Sequence, residues 1–167
     1  MNKTWSIKRT VVVAVLMAMN VALSSFSIPV PGGHLYFNDV VIVASALMLM
    51  PSEAFVVGGV GAFLGDALFY PAPMFVSLFS HGLEAMIIAY VARKYPKNRG
   101  KVMLGILAGA AVMVTGYTLG RAFVYATPAI SLIKFPFECL QAGFGAVMGY
   151  VLVYNFGVKK QFEEKLR

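Results

Sequence analysis

Residues 40–70 read VVIVASALMLMPSEAFVVGGVGAFLGDALFY, and this apolar stretch decides the fold. As one helix it would be about 46 Å long, at 1.5 Å per residue. That length is too great for one crossing of a hydrocarbon core about 30 Å thick, and it is short for two crossings. Either the stretch crosses a membrane once, or it turns at Pro51-Ser52-Glu53 and forms two short helices.

The cations outside this stretch favour the turn. If the chain turns, three basic segments fall on one side of the membrane, and the positive-inside rule makes that side cytoplasmic. If the stretch crosses once, the middle basic segment, 93–101, falls on the opposite side. Twelve of the 14 Lys and Arg residues lie in these segments: Lys3, Lys8, Arg9, Arg93, Lys94, Lys97, Arg99, Lys101, Lys159, Lys160, Lys165 and Arg167.

Four further apolar runs have about the length that a transmembrane helix needs. They cover approximately Thr10–Ser27, Met74–Ala92, Val102–Tyr125 and Ile130–Phe156. We therefore predict an all-α, polytopic protein of the cell (plasma) membrane, a bundle of six transmembrane helices with both termini in the cytoplasm. The alternative is that the first run is a cleaved signal peptide, which would leave five spans.

The composition favours one membrane domain over residues 1–167. Hydrophobic residues make up 59% of the chain and charged residues 13%, whereas soluble domains carry about 45–50% and about 25%. The net charge of +7 does not indicate nucleic acid as a partner, because most cations flank apolar runs. A chain of 167 residues leaves no room for a separate soluble enzyme domain.

The motifs of common enzymes are missing from the sequence. It contains no phosphate-binding Gly-rich loop ending in Lys-Ser or Lys-Thr, no His-Glu-x-x-His pair and no Gly-x-Ser-x-Gly elbow. Cys139 is the one cysteine, and His34 and His81 are the only histidines. We predict that the chain is not an enzyme and requires neither a cofactor nor a metal.

Ionisable residues inside the apolar runs need an explanation, because charges in a membrane are costly and usually face the protein interior or a wet cavity. Spacings of three or four residues place their side chains on shared helix faces. Such faces could line a ligand cavity, with tyrosines stacking on a flat ring. The alternative is a set of ion pairs that lock helices together, with Lys134 extended to the membrane surface. The residues concerned are Lys134, Glu138 and Gln141; Tyr117, Arg121 and Tyr125; and His81 and Glu84.

The loop at residues 28–38 carries two prolines, two glycines and no cation. Proline and glycine disfavour regular helix there, yet aromatic residues keep the loop apolar. It could fold as a lid over a ligand, with His34, Tyr36 and Asn38 as contacts, or form part of an interfacial aromatic belt. Asp66 lies in a glycine-rich segment, and two roles stay open for it: a structural partner for Arg121 or a ligand contact.

Small residues recur every fourth position in the first run, at Ala14, Ala18 and Ala22. Small residues at this spacing let helices approach closely in lipid. The stripe could dock a partner helix, or it could pack inside this same protein.

In combination these features resemble the substrate-binding S components of energy-coupling factor (ECF) vitamin transporters. The resemblance covers nearly the whole chain and rests on the alanine stripe, the loop before Asn38-Asp39, the segment 58–66 followed by Tyr70-Pro71, and six short spans. It implies one substrate-binding domain, residues 1–167, with the first outer loop closing over a vitamin. It also implies that the alanine stripe meets a transmembrane coupling protein, which two cytoplasmic ATPases drive.

The branch that this chain most resembles takes up hydroxymethylpyrimidine or pyridoxine, with riboflavin as the neighbouring possibility. The resemblance implies a site drawn from the first outer loop and the last three helices, which matches the polar residues above. Two other classes stay open. One is a structural or assembly membrane protein without a ligand, and the other is a self-contained proton-coupled carrier using Asp66 and Glu84.

Overall fold

The computed structural model describes residues 6–166, and it is almost entirely helical. The helices are α1 (Ile7–Ser24), α2 (Asp39–Met48), α3 (Pro51–Phe55), α4 (Gly61–Phe69), α5 (Met74–Lys94), α6 (Arg99–Gly120), α7 (Pro128–Tyr154) and α8 (Val158–Leu166). A π-helical turn, Val56–Val60, joins α3 to α4 without a break, and a second one, Arg121–Tyr125, extends α6.

Within residues 6–166, five helical segments are long and apolar enough to cross a membrane: Ile7–Ser24, Pro51–Phe69, Met74–Lys94, Arg99–Tyr125 and Pro128–Tyr154. This confirms a polytopic helical membrane protein. The count of six is not confirmed, because α2 has 10 residues and would span only about 15 Å, half of the hydrocarbon core.

The long apolar stretch breaks at the place that the charge pattern predicts. Helix α2 ends at Met48, and Leu49 and Met50 are extended. Pro51 then opens α3, where its missing N–H costs nothing. The Glu53 carboxylate accepts a hydrogen bond from the Met50 N–H (2.8 Å) and contacts Arg9 near the start of α1. The chain has therefore returned to the end of the bundle at which α1 begins, which we call the basic end.

The loop after α1 forms a β-hairpin that the sequence did not predict. Strands β1 (Ser27–Val30) and β2 (Gly33–Tyr36) pair antiparallel, with Val30 opposite Gly33. Pro31 and Gly32 form the turn, and Gly32 has a φ of 82°. Proline followed by a residue with positive φ is typical of a type II turn, so these residues build a hairpin and not an irregular loop.

The interior of the bundle is apolar toward the basic end and polar beneath the hairpin. The closely packed apolar core lies toward the basic end and includes Ile42, Val57, Ile88, Ile106 and Val153, each 1% exposed or less. The buried polar side chains of α4–α7 gather instead beneath the hairpin. We call that region the cavity end.

Candidate vitamin-binding cavity

A cavity lies beneath the hairpin, with walls from α4, α5, α6 and its π-helical turn, and α7. Its volume is about 40 Å³, less than the roughly 300–1,000 Å³ of typical small-molecule sites, so the hairpin lies close over the polar side chains. Nine of the ten side chains predicted to bind substrate line it: His34, Tyr36, Asn38, His81, Tyr117, Arg121, Lys134, Glu138 and Gln141. Glu84 is not among the lining residues; it lies behind His81, where its carboxylate contacts Nδ1 of that ring at 2.9 Å.

An ion pair between Arg121 and Glu138 joins the π-helical turn after α6 to α7 at the cavity. The Arg121 guanidinium donates to Oε1 of Glu138, and their side chains are 8% and 5% exposed. Arg121 begins the π-helical turn; such turns are rare and occur often at functional sites. Glu138 Oε2 is buried without a hydrogen-bond partner among the described residues, so the pair leaves an acceptor unused.

Lys134 faces inward and not toward the membrane surface. Its side chain is buried, and its Nζ donates to the backbone carbonyl of His34 at 2.7 Å. The predicted alternative, in which Lys134 extends to the surface, is therefore wrong. The turn of the hairpin sits directly on this residue, since a Cβ added at Gly32 would lie 3.0 Å from the Lys134 Cβ.

Gln141 provides a second link between α7 and the hairpin. Its Oε1 accepts a hydrogen bond from the backbone N–H of Tyr36 at 2.9 Å, and its Nε2 donates to Asp39 Oδ2 at 3.0 Å. Lys134 and Gln141 thus hold both ends of β2. The hairpin is fixed to α7 by two polar side chains and covers the cavity.

Asp66 faces the cavity and is not the partner of Arg121. It accepts a hydrogen bond from the Ser77 hydroxyl, and Ser77 Oγ lies 2.5 Å from the Tyr117 hydroxyl. This chain of hydrogen bonds ties α4, α5 and α6 together on the side of the cavity opposite Lys134. Asp66 therefore has a structural partner and also lies where a ligand would contact it.

Aromatic rings line the cavity. His34 packs edge-on against Tyr70, with ring centroids 6.1 Å apart, and His81 packs against Tyr117 at 5.2 Å. Burial raises the pKa of Tyr36 to about 12, so its hydroxyl stays protonated at neutral pH. Rings disposed in this way suit a flat aromatic ligand.

Five lining residues were not predicted from the sequence as ligand contacts: Gly32, Gly33, Tyr70, Pro73 and Met113. Tyr70 follows α4 directly, and its position after the glycine-rich segment is the signal that could have identified it. Met113 carries no such signal, because a methionine within an apolar helix is normally a packing residue.

The alanine stripe of α1 lies on the outside of the bundle. Ala14, Ala18 and Ala22 are exposed, whereas Asn20 and Ser24 are buried on the other face of the helix. Asn20 Nδ2 donates to the backbone carbonyl of Val57, in the first π-helical turn, at 2.7 Å. The stripe therefore does not pack inside this protein, and that alternative is wrong.

Comparisons with known proteins give a consistent result. Residues 4–157 match the model of the family described as ECF-type riboflavin transporter, S component. An uncharacterized protein of Pyrococcus woesei is 32% identical over 146 residues, which cover 84% of this chain and 97% of the relative. The solved structure of the S component of a bacterial ECF transporter superimposes with a TM-score of 0.69 at 20% identity, covering 90% of this chain and 95% of the other, and shows that the fold is shared.

Proposed function

The chain belongs to the family of ECF-type riboflavin transporter S components, and on that premise we propose that its ligand is hydroxymethylpyrimidine or pyridoxine. As an S component it is a substrate-binding subunit of the plasma membrane and not an enzyme. It works with an ECF module, whose membrane coupling protein and ATPases drive the uptake of a small-molecule vitamin.

The observation that carries the proposal is a set of buried polar atoms without partners at the cavity. Asn38 Oδ1, Tyr125 Oη and Glu138 Oε2 belong to lining residues, and none has a hydrogen-bond partner within the described part of the chain. An unsatisfied buried polar group costs about 1–3 kcal/mol. A protein whose charges only locked helices together would gain nothing from these atoms, so they argue against a purely structural role.

The kind of unpaired atom supports a ligand that donates hydrogen bonds. The amide oxygen of Asn38 and the carboxylate oxygen of Glu138 only accept. Hydroxymethylpyrimidine offers an amino group and a hydroxyl, and pyridoxine offers three hydroxyls, each on one flat ring. Tyr36 and Tyr125 would flank such a ring, and Lys134 retains donors for its nitrogen or oxygen atoms.

Riboflavin is the second candidate, because the matched family is described as a riboflavin transporter. Its ring system is much larger, and the polar edge of that ring presents two carbonyl acceptors around a single N–H. Its ribityl chain carries four hydroxyls that could donate to Asn38 and Glu138, so the number of donors does not separate the candidates. We rank riboflavin below the smaller compounds because its ring system needs more space.

Ligand binding by the purified subunit tests the proposal. Native mass spectrometry identifies a vitamin that is retained through purification, and calorimetry then compares hydroxymethylpyrimidine, pyridoxine and riboflavin on ligand-free protein. We expect saturable binding of one of the two smaller compounds, at least about tenfold tighter than that of riboflavin, a difference of about 1.4 kcal/mol. Tighter binding of riboflavin would overturn the choice of ligand, and binding of none of the three would favour the assembly role.

The orientation and the docking surface are part of the same proposal. We infer that residues 1–167 form one substrate-binding domain with both termini in the cytoplasm. Among the described cations, Arg9 contacts Glu53 at the basic end and Arg99 lies over Tyr154 at the end of α7, as the positive-inside rule would place them. The face formed by Ala14, Ala18 and Ala22 would meet the coupling protein, since its small side chains admit a close helix. Uptake by this chain alone in energised vesicles would instead indicate a self-contained carrier.

A further inference from the structure

Behind the floor of the cavity, three side chains form a compact group of nitrogen and oxygen atoms. Asp39 at the start of α2 and His81 and Glu84 on α5 are 1%, 2% and 1% exposed. One ligand atom from each lies within 4.8 Å of the other two. His81 Nδ1 is 2.9 Å from Glu84 Oε2 and 3.6 Å from Asp39 Oδ1. We propose that Asp39, His81 and Glu84 bind a divalent first-row transition cation.

The charges within this group support a cation. With a neutral imidazole the group carries two negative charges, and with a protonated imidazole it still carries one. Among the described residues, Asp39 accepts a hydrogen bond from Gln141, and Glu84 contacts His81. Lys134 attracts Asp39 through space, but its own hydrogen bond goes to the His34 carbonyl. Net charge inside a membrane protein is costly. A divalent cation with neutral His81 brings the group to zero.

An unpaired atom points into the same space. Asp39 Oδ1 is buried and has no hydrogen-bond partner in the described chain, although Oδ2 of the same carboxylate is held by Gln141. A fixed carboxylate with one oxygen free is the arrangement expected of a metal ligand whose second oxygen is oriented by an outer partner. The free oxygen faces His81 Nδ1, the atom that Glu84 also contacts.

The spacing fits ion coordination with small adjustments. Metal–nitrogen and metal–oxygen bonds of about 2.0–2.2 Å in a tetrahedral site place neighbouring ligand atoms about 3.3–3.5 Å apart. The two distances at His81 lie on either side of that value. One imidazole and two carboxylates suit zinc, manganese, iron or cobalt. Three protein ligands leave one position open, and His81 lines the cavity, so an ion can arrive from the cavity side.

The inference extends beyond the proposed function, which requires no metal. Cobalt(II) titration of chelator-treated, full-length protein in detergent tests it, because the visible absorption of Co²⁺ reports its ligands. We expect uptake of one ion per chain and displacement by Zn²⁺. Glu84→Gln and His81→Asn should each weaken Co²⁺ binding at least about 100-fold, since changes to outer partners alone cost 10–100-fold.

Glu53→Gln is the matched control, because Glu53 is an equally buried carboxylate at the basic end; its Co²⁺ affinity should not change. No saturable uptake, or equal uptake by wild type and both cluster variants, overturns the proposal. If the cluster variants fail to fold, thermal melting of the wild type decides. Zn²⁺ should raise its melting temperature by several degrees after chelation, and an unchanged melting temperature overturns the site. Vitamin binding is measured separately, so either site can fail alone.

Discussion

Two arginine–glutamate pairs, each with a buried glutamate, lie at opposite ends of this bundle, and they differ in what they leave unsatisfied. At the basic end, Glu53 receives Arg9 Nε at 2.7 Å, Arg9 Nη2 at 2.5 Å and the Met50 N–H at 2.8 Å. At the cavity end, Arg121 donates to one oxygen of Glu138, and the other oxygen has no partner within the described residues.

The difference teaches how a structural ion pair is distinguished from a functional one. A bidentate, fully hydrogen-bonded pair uses its polar capacity within the fold. A pair with an unused acceptor that faces an open cavity has capacity left for another molecule. The same two residue types therefore fix the start of α3 at one end and line the candidate vitamin-binding cavity at the other.

Replacing Glu53 with alanine should have the largest effect. Removing one partner of a fully buried pair costs about 3–5 kcal/mol. That value is an upper bound here, because the remaining Arg9 is partly exposed, while the Met50 N–H also loses its acceptor. We expect a large fall in the melting temperature, with vitamin affinity unchanged in the protein that remains folded. Vitamin affinity that fell in parallel with stability would show that the two ends are not independent.

The Glu138→Gln substitution should have the opposite effect, lowering vitamin affinity more than stability. It keeps the size and one carbonyl acceptor but removes the charge that Arg121 contacts and one of the acceptors offered to the ligand. We expect vitamin affinity to fall about 5- to 150-fold, equivalent to about 1–3 kcal/mol, with a smaller change in melting temperature than Glu53→Ala causes. Calorimetry and thermal melting on the same preparation check both. A variant that melts early yet binds normally would place Glu138 among the structural residues.

A Gly32→Ala substitution should weaken binding through the lid. Its φ of 82° is a conformation that costs a non-glycine residue about 1–2 kcal/mol. The added Cβ would also crowd Lys134 at 3.0 Å. Strain there should displace the hairpin and lower vitamin affinity by about 5- to 30-fold.

Gly157→Ala is the control for that experiment. Gly157 has a φ of 70°, and an added Cβ there would meet nothing within 4 Å. It introduces the same kind of backbone strain far from the lid, so affinity should not change. If both variants bind equally well, the turn of the hairpin does not govern access to the cavity.

The sequence predicted the cavity better than it predicted the partners within it. Helical periodicity alone placed Lys134, Glu138 and Gln141 on one face, because every pair of them is three, four or seven residues apart. It could not show whether Arg121 pairs with Glu138 or with Asp66, since that choice depends on how α4 and α7 are placed relative to α6. Relative placement of helices is a property of packing and is not written in any single helix.

The two differences in architecture have local causes. The hairpin was missed because four-residue strands rich in proline and glycine lack the alternating pattern by which strands are recognised. Helix α2 was predicted as a full span because Leu49 and Met50 are apolar, although they are extended in the structure. The sequence gives no signal that places Asp39 beside His81 and Glu84, because an acidic residue at a helix start is common there for electrostatic reasons.

The alanine stripe should respond least in the isolated subunit and most in the assembled transporter. Ala18→Leu adds a side chain on the outside of α1, where surface changes typically alter stability by about 0.5 kcal/mol or less. Vitamin affinity should be unchanged, while copurification with the coupling protein and vitamin uptake by the complete transporter are lost. Val15→Leu, at an exposed position of α1 outside the stripe, should retain both. Because lipid tails are as apolar as leucine, closeness of approach and not hydrophobicity drives helix association in a membrane. A leucine at position 18 that left assembly intact would therefore move the docking surface to another face of the bundle.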